Sequence, residues 1–174
     1  MNEISLDLVP ISADALRRLT SDRVAFEKMI DASVPLEWPH EALREALDVI
    51  AEGTTAEAPT LYAIVDRSRT GVAAGGVLVG DIGFHGQPDE HGDLEVGYSV
   101  LASERRRGIA RWALATLLPI ARRREGALNI TARCEPENVA SIRVLEGAGF
   151  ERVDGPGPEI HWRLAESSRD PQQR

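Results

Sequence analysis

The sequence of 174 residues contains one cysteine, Cys134, so no disulfide can form within the chain. A lone thiol fits a reducing compartment, and we expect a cytoplasmic protein. Long apolar runs are also absent, since none approaches the roughly 20 residues that a membrane-spanning helix needs. Residues 1–4 show no basic segment followed by an apolar one, so neither a signal peptide nor a membrane partner is expected.

Lysine is nearly absent as well, since Lys28 is the only one, and acidic residues outnumber basic ones by 28 to 20. The formal net charge of −8 argues against a nucleic-acid partner, because the field of the whole molecule repels a phosphate backbone. The arginines are nevertheless concentrated at positions 105–107, 111 and 122–124. A solvated helix face explains those at 122–124 equally well, whereas the run 105–107 leads directly into a glycine.

Length and composition together indicate one globular domain. Hydrophobic residues make up 43% of the sequence and charged residues 28%, and the chain is long enough to bury an ordinary core. There is no internal repeat and no linker that would separate two domains. We therefore expect a single domain over residues 1–166, followed by a polar tail, 167–174, without fixed structure.

Hydrophobic periodicity and turn residues predict seven strands and four helices. The predicted strands cover 4–9, 61–65, 72–84, 94–101, 128–134, 150–153 and 160–164, and the predicted helices cover 13–20, 39–50, 106–125 and 137–148. Adjacent strands followed by helices that connect strands are typical of an α+β domain with a mixed sheet, and not of a doubly wound fold. Pro119 lies inside the third helix and predicts a kink or an early end there.

The most informative segment is 94–110, which is a strand, a turn rich in arginine and a helix start. The N-terminus of a helix offers unpaired N–H groups and a positive dipole end, so it binds phosphates. Gly108 lets the backbone approach a ligand closely, and the small side chain of Ala110 leaves room for a pyrophosphate. No Gly-Lys-Ser/Thr follows, and the three-glycine spacing of a dinucleotide fingerprint is missing, so neither of those phosphate loops is present.

These residues resemble the GNAT family of N-acetyltransferases, in particular the branch of ribosomal-protein N-terminal (RimJ/RimL-type) enzymes. Arg105-x-x-Gly108-x-Ala110 matches the family's coenzyme A signature. Residues 95–98 (Glu-Val-Gly-Tyr) match its Glu-Ile-Gly-Tyr strand, residues 138–146 match its Asn-x-x-Ser-x-x-x-Leu-Glu helix, and residues 149–150 match its closing Gly-Phe. The resemblance extends from about residue 72 to 153, and its motifs follow one another in family order.

The resemblance implies a mostly antiparallel mixed sheet of about seven strands with four flanking helices, and acetyl-CoA as donor substrate without a metal. The strand that holds Val100 would carry a bulge and separate from its neighbour, so that the pantetheine arm binds backbone there and amides at 106–110 hold the pyrophosphate. A helix N-cap is the alternative role for Asn138. The residues implied in coenzyme A binding are Val100, Leu101, Arg105, Arg106, Arg107, Gly108, Ile109, Ala110, Asn138 and Ser141.

Acetyl transfer to an amine needs a base for the ammonium and an acid for the departing thiolate. Glu95 is the candidate base, because it lies in an apolar strand where desolvation would raise its pKa, although the solvated face of that strand is the alternative. Many family members carry a tyrosine where this sequence has Leu145. Protonation of the thiolate would then fall to Ser141, to water or to no residue. Tyr98 is a possible substitute, although packing in the core is its simpler interpretation.

The acceptor is expected to lie near Trp38, His85 and Tyr98, which we take as substrate-binding candidates. The loop 84–90 is acidic and would suit a cationic amine, although an exposed histidine is the simpler interpretation of His85. Two histidines, His85 and His91, are weak evidence for a metal. Cys134 is expected to be a structural thiol and not an acyl-carrying nucleophile.

The sequence therefore predicts an acetyl-CoA-dependent N-acetyltransferase that acts by direct attack of a bound primary amine, either a peptide N-terminus or a small molecule. A transferase for a longer acyl-CoA is one alternative. A non-catalytic module that binds acyl-CoA and a protein partner is the other. A homodimer is compatible with all three.

Overall fold

The computed structural model describes residues 4–19, 21–41, 43–45, 47, 60–69 and 75–165. They contain a seven-stranded sheet in the order β1–β2–β3–β4–β5–β7–β6. Every neighbouring pair is antiparallel except β4–β5, which is parallel. The strands are β1 Leu6–Pro10, β2 Leu61–Asp66, β3 Val77–Phe84, β4 Asp93–Val100, β5 Asn129–Cys134, β6 Phe150–Val153 and β7 Ile160–Leu164. The prediction of an α+β fold with a mixed, mostly antiparallel sheet of about seven strands is confirmed.

Four α-helices have defined bounds in the described chain: α1 Ala13–Leu19, α2 Arg23–Ile30, α3 Ile109–Ala121 and α4 Val139–Gly147. Residues 41, 43–45 and 47 are also helical, and the remainder of the helix predicted over 39–50 lies outside the described residues. Helix α3 ends two residues after Pro119, which is the early end that the proline predicts. The predicted tail, 167–174, and residues 72–74 of the predicted third strand also lie outside the description.

Helix α2 was not predicted from the sequence. Asp22 caps its N-terminus, since the carboxylate accepts a hydrogen bond from the N–H of Ala25 at 3.0 Å. Phe26 and Ile30 are four residues apart on one face of the helix, and both are buried. The helix ends at Asp31 in the left-handed conformation with φ 49°. It covers the sheet beside α1, where Phe26 and Ile30 join an apolar cluster with Leu61, Ala63 and Leu78.

The sheet separates two apolar clusters. One contains Ile82, Leu94, Ile130 and Trp162 from the strands, packed against α3 and α4. The other lies on the opposite face, where Leu61, Ala63 and Leu78 pack against α1, α2 and Trp38. Because apolar side chains pack on both faces of the sheet, almost every residue of β2 and β3 is buried. None of the described helices is long and apolar enough to cross a membrane.

Candidate active site

A cleft opens between β4 and β5 in the middle of the sheet. The two strands pair only from 93–95 to 129–131, although β4 continues to Val100 and β5 to Cys134. Beyond Glu95 the strands separate and border a cavity of about 810 Å³. Residues from both faces of the sheet line it, among them His40, Asp81, Gly83, His85, Gly97, Tyr98, Arg133, Cys134, Asn138, Ser141 and Leu145. A ligand in this cleft can therefore be reached from either side of the sheet.

The backbone of β4 offers hydrogen-bonding groups to this cleft. The N–H of Leu101 donates to the carbonyl of Val79 on β3 at 3.0 Å, so Leu101 is already used by the sheet. Backbone groups alternate in direction along a strand, which leaves those of Tyr98 and Val100 facing β5. The bulge expected around Val100 is absent, because residues 96–100 pair with 80–84 in unbroken register. The strands separate because the β4–β5 ladder ends, and not because β4 is bulged.

The predicted phosphate cradle forms the start of α3. Gly108 is the N-cap with φ 78° and ψ 3°, and a Cβ placed on it would meet no atom within 4 Å. The first helical bond runs from the N–H of Trp112 to the carbonyl of Gly108 at 3.0 Å. The N–H groups of Ile109 and Ala110 therefore have no acceptor within the helix. Open space above a glycine and unpaired amides beside it fit a phosphate ligand.

Two arginine side chains of the cradle, those of Arg105 and Arg107, contact the protein. Arg107 is ion-paired with Glu104 and lies 3.5 Å from the carboxylate of Asp66, which is fully buried. Glu104 also binds Arg69, and the guanidinium of Arg105 donates to the carbonyl of Val100 at 3.3 Å. Arg106 adopts φ 63°, in the left-handed region. Through these ion pairs Arg107 connects the loop to Asp66 at the end of β2. The backbone amides remain as the groups that face the ligand space.

Replacement of Arg107 by alanine is expected to loosen this loop, because the buried carboxylates of Asp66 and Glu104 lose a shared cation. We expect a loss of about 1–3 kcal/mol in the free energy of unfolding, measured by chemical denaturation. Coenzyme A affinity, measured by calorimetry, should fall by at least about fivefold, the factor that corresponds to the lower end of this range. Arg123→Ala removes one positive charge from the same basic stretch and should change neither quantity. Equal effects of both variants would show that the loss of positive charge, and not the loss of the ion pairs with Asp66 and Glu104, lowers stability and affinity.

Glu95 lies at the closed end of the cleft between His85 and Arg133. Its carboxylate lies 2.9 Å from Nδ1 of His85, and Nε of Arg133 donates to both carboxylate oxygens at 3.0 Å. Burial by itself raises the pKa of Glu95, but the hydrogen bonds and charges of His85 and Arg133 outweigh it and lower the pKa. The expectation of a raised pKa is therefore wrong. The ring of His85 lies over Gly97, where a Cβ would come within 2.6 Å of Nε2.

The opposite face of the cleft carries Tyr98, Ser141, Asn138 and Leu145. The hydroxyl of Tyr98 donates to the carbonyl of Ser141 at 3.5 Å, and burial raises the pKa of Tyr98 to about 12. Asn138 is the N-cap of α4, since its Oδ1 accepts from the N–H of Ser141 at 3.1 Å, so the alternative role is present. It also lines the cleft beside Ser141, and Leu145 is buried there. Glu95 and Tyr98 lie on opposite faces of β4, as strand alternation predicts.

Cys134 ends β5 at the wall of the cleft. Its thiol is buried, and Sγ accepts a hydrogen bond from Nε1 of Trp162 at 3.2 Å. This contact ties β5 to β7, which agrees with the structural role expected from the sequence. Within the described residues, no group of three or more His, Cys, Asp or Glu side chains is arranged to hold a metal ion.

The face that packs on α1 and α2 contains two cavity residues that the sequence did not suggest. Asp81 and His40 line the cleft there, and Asp81 is only 5% exposed. Trp38, a predicted substrate-binding residue, is itself buried, and its Nε1 donates to Asp81 at 2.7 Å. It therefore lies behind Asp81 and does not face the cleft. A carboxylate inside an apolar, glycine-rich strand is the signal that would have identified Asp81.

Comparison with known proteins agrees with this geometry. The family model for the acetyltransferase (GNAT) domain matches residues 6–151. The uncharacterized N-acetyltransferase YjdG of Bacillus subtilis (strain 168) is 32% identical over 130 residues, which cover 72% of this chain and 74% of that protein.

Solved structures share the fold at low identity. A GNAT-family acetyltransferase from Bacillus anthracis aligns with a TM-score of 0.57 and 22% identity, covering 93% of this chain and 96% of that one. RimL, a ribosomal L7/L12 alpha-N-protein acetyltransferase in complex with coenzyme A, aligns with a TM-score of 0.58 and 16% identity, covering 92% and 96%.

Proposed function

This chain belongs to the GNAT acetyltransferase family, and from that premise we propose that it transfers the acetyl group of acetyl-CoA to a primary amine, a peptide N-terminus or a small molecule, bound in the same cleft. The observation that carries the proposal is the cleft itself, which passes through the sheet between β4 and β5. A donor bound from the α4 side and an acceptor bound from the α2 side meet there.

The donor side is supported by backbone geometry. The amides at 106–110 are proposed to bind the pyrophosphate, and open space at Gly108 supports this. The backbone groups of Tyr98 and the N–H of Val100, which face β5, would bind the pantetheine arm as an added strand, and the carbonyl of Val100 already accepts from Arg105. A backbone N–H of the same strand would polarise the thioester carbonyl. Ser141 and Asn138 would lie beside the thiol end.

His85 and Glu95 are proposed to remove the proton from the amine together. Glu95 is held by Arg133 and keeps its charge, so it accepts from Nδ1 of His85 and leaves Nε2 as the proton acceptor. This assigns Glu95 a supporting part in base catalysis, in place of direct proton abstraction. The amine nitrogen then bonds to the carbonyl carbon as the carbon–sulfur bond breaks.

The departing thiolate is proposed to receive a hydrogen bond from the hydroxyl of Ser141, and the second proton that the nitrogen loses as the amide forms reaches the sulfur through water. Tyr98 supports Ser141, because its hydroxyl binds the carbonyl of that residue. In sum, ammonium and acetyl-CoA yield the amide, free coenzyme A and one released proton. Leu145 has no acidic group, so the sulfur must receive its hydrogen bond from Ser141 and its proton through water.

The test is release of free thiol from acetyl-CoA over a panel of primary amines and peptides, with the acetylated product identified by mass spectrometry. The proposal expects thiol and acetylated amine in equal amounts. Thermal stabilisation by acetyl-CoA without any product would support the non-catalytic module instead. Faster turnover with a longer acyl-CoA would support the other alternative.

A further inference from the structure

Asp81 is a buried carboxylate at the acceptor side of the cleft. Its Oδ2 accepts hydrogen bonds from Nε1 of Trp38 at 2.7 Å and from Oγ of Ser99 at 2.6 Å. Both donors hold the carboxylate in one orientation. Oδ1 has no hydrogen-bond partner in the described part of the chain, and the side chain lines the cavity. One oxygen of a fixed, buried carboxylate therefore faces the space where an acceptor would bind.

The surroundings of Asp81 are unlike those of the other buried carboxylates. Asp66 and Glu104 are each paired with arginine. Asp81 has no arginine or lysine partner among the described residues, and His40 is the cation-forming group near it. Burial raises the pKa of Asp81, against the lowering effect of its two hydrogen bonds and of His40. A buried carboxylate without a cation is costly, so a cationic ligand would find a strong partner there.

A purely structural role explains Asp81 poorly. Trp38 and Ser99 need only a hydrogen-bond acceptor, and a neutral asparagine or threonine oxygen would supply one without burying a charge. The carboxylate adds a negative charge that neither of its two hydrogen-bond donors requires. That charge is directed at the acceptor side of the cleft, next to β4.

The sheet register places Asp81 one step from the proposed reaction centre. Gly83 pairs with Gly97, over which Nε2 of His85 lies, and Asp81 pairs with Ser99 two residues along. Two residues of a strand span about 7 Å, a separation that a chain of about four carbon atoms bridges. An amine at His85 can therefore carry a second group that reaches Asp81.

We propose that Asp81 is the specificity residue of the acceptor site, and that its free oxygen binds a second cationic group of the acceptor. The substrate class is then a primary amine with a further ammonium a few bonds away. This inference rests on the proposed function and adds the charge that the acceptor must carry. It places the selective charge inside the cleft, and not on the exposed acidic loop 84–90.

The experiment compares two amines of matched length, 1,4-diaminobutane and n-pentylamine, which differ by a terminal ammonium in place of a methyl group. Thiol release from acetyl-CoA gives kcat/KM for each. We expect the wild-type protein to prefer the diamine by about tenfold or more, the range of a charged hydrogen bond. Asp81→Asn should reduce the ratio to near one by lowering the diamine alone, with the change mainly in KM. Glu90→Gln, which removes a charge from the exposed loop, should keep the wild-type ratio.

Two results would overturn the inference: no preference in the wild-type protein, or an equal loss of both amines in Asp81→Asn. The second result would indicate a structural or proton-transfer role. The wild-type comparison needs no variant, so it decides the matter even if Asp81→Asn does not fold. Should neither amine react, the proposed function fails for simple amines. In that case the melting temperature of the wild-type coenzyme A complex is measured with each amine added. Equal shifts with the two amines overturn the inference.

Discussion

Replacing Gly108 by valine is expected to abolish coenzyme A binding while the protein stays folded. Gly108 has φ 78°, which an L side chain reaches at a cost of about 1–2 kcal/mol, and valine would also project into the open space above the first turn of α3. That space is where the pyrophosphate is proposed to bind. The dissociation constant, measured by calorimetry, should rise by at least about 100-fold, since several charge-assisted hydrogen bonds are lost together.

A matched control separates backbone strain from loss of the ligand space. Gly157 has φ 84° in the loop between β6 and β7, and a Cβ on it would also meet nothing within 4 Å. Gly157→Val should cost a similar free energy of unfolding and leave the dissociation constant unchanged. Wild-type affinity in Gly108→Val would refute the cradle. Equal losses of affinity in both variants would point to a general effect of strain.

The second large effect is expected at the pair of Glu95 and His85. Glu95→Gln should lower kcat by about 100-fold or more, within the usual range for a general base, and leave coenzyme A affinity unchanged. His85→Gln should produce a similar loss. If the two act as a unit, the double variant should be little worse than either single one. Steady-state kinetics with one amine at saturating acetyl-CoA measures all three.

The pH dependence follows from the direction of the Glu95 pKa. His85 and Arg133 lower this pKa, so the carboxylate keeps its charge well below neutral pH. Protonation of Glu95 therefore cannot cause a loss of activity on mild acidification.

Additive losses in the double variant would contradict the pairing of Glu95 with His85. Wild-type turnover by Glu95→Gln would refute the supporting part of Glu95 in base catalysis, and Glu95 would then be only a structural partner of Arg133.

Local sequence signals predicted the parts of the site that are built from neighbouring residues. The cradle is contiguous, from Arg105 to Ala110, so its glycine, its helix start and its spacing are all visible in one stretch. Strand alternation likewise predicts that Glu95 and Tyr98 lie on opposite faces of β4. The succession of strands along the chain followed from periodicity and turn residues, and the end of α3 two residues after Pro119 followed from the missing N–H of that proline.

Contacts between distant residues could not be predicted in this way. The pKa of Glu95 depends on Arg133, which lies 38 positions away and on another strand. Asp81 depends on Trp38, 43 positions away, and nothing local shows that the two meet. Trp38 was expected in the acceptor pocket for its type and loop position, yet it is buried behind Asp81. The role of a buried charge in a strand depends on the groups that contact it, and only the fold brings those groups together.

The most direct test of the account is a crystal structure of the protein with coenzyme A bound. We predict the pyrophosphate on the amides at 106–110, the pantetheine arm between β4 and β5 beside Tyr98 and Val100, and the sulfur near Ser141. The side of the cleft that holds Asp81 and His85 should stay open for an amine. Coenzyme A bound outside the β4–β5 cleft, or a sulfur that cannot be reached from the Asp81 side, would contradict it.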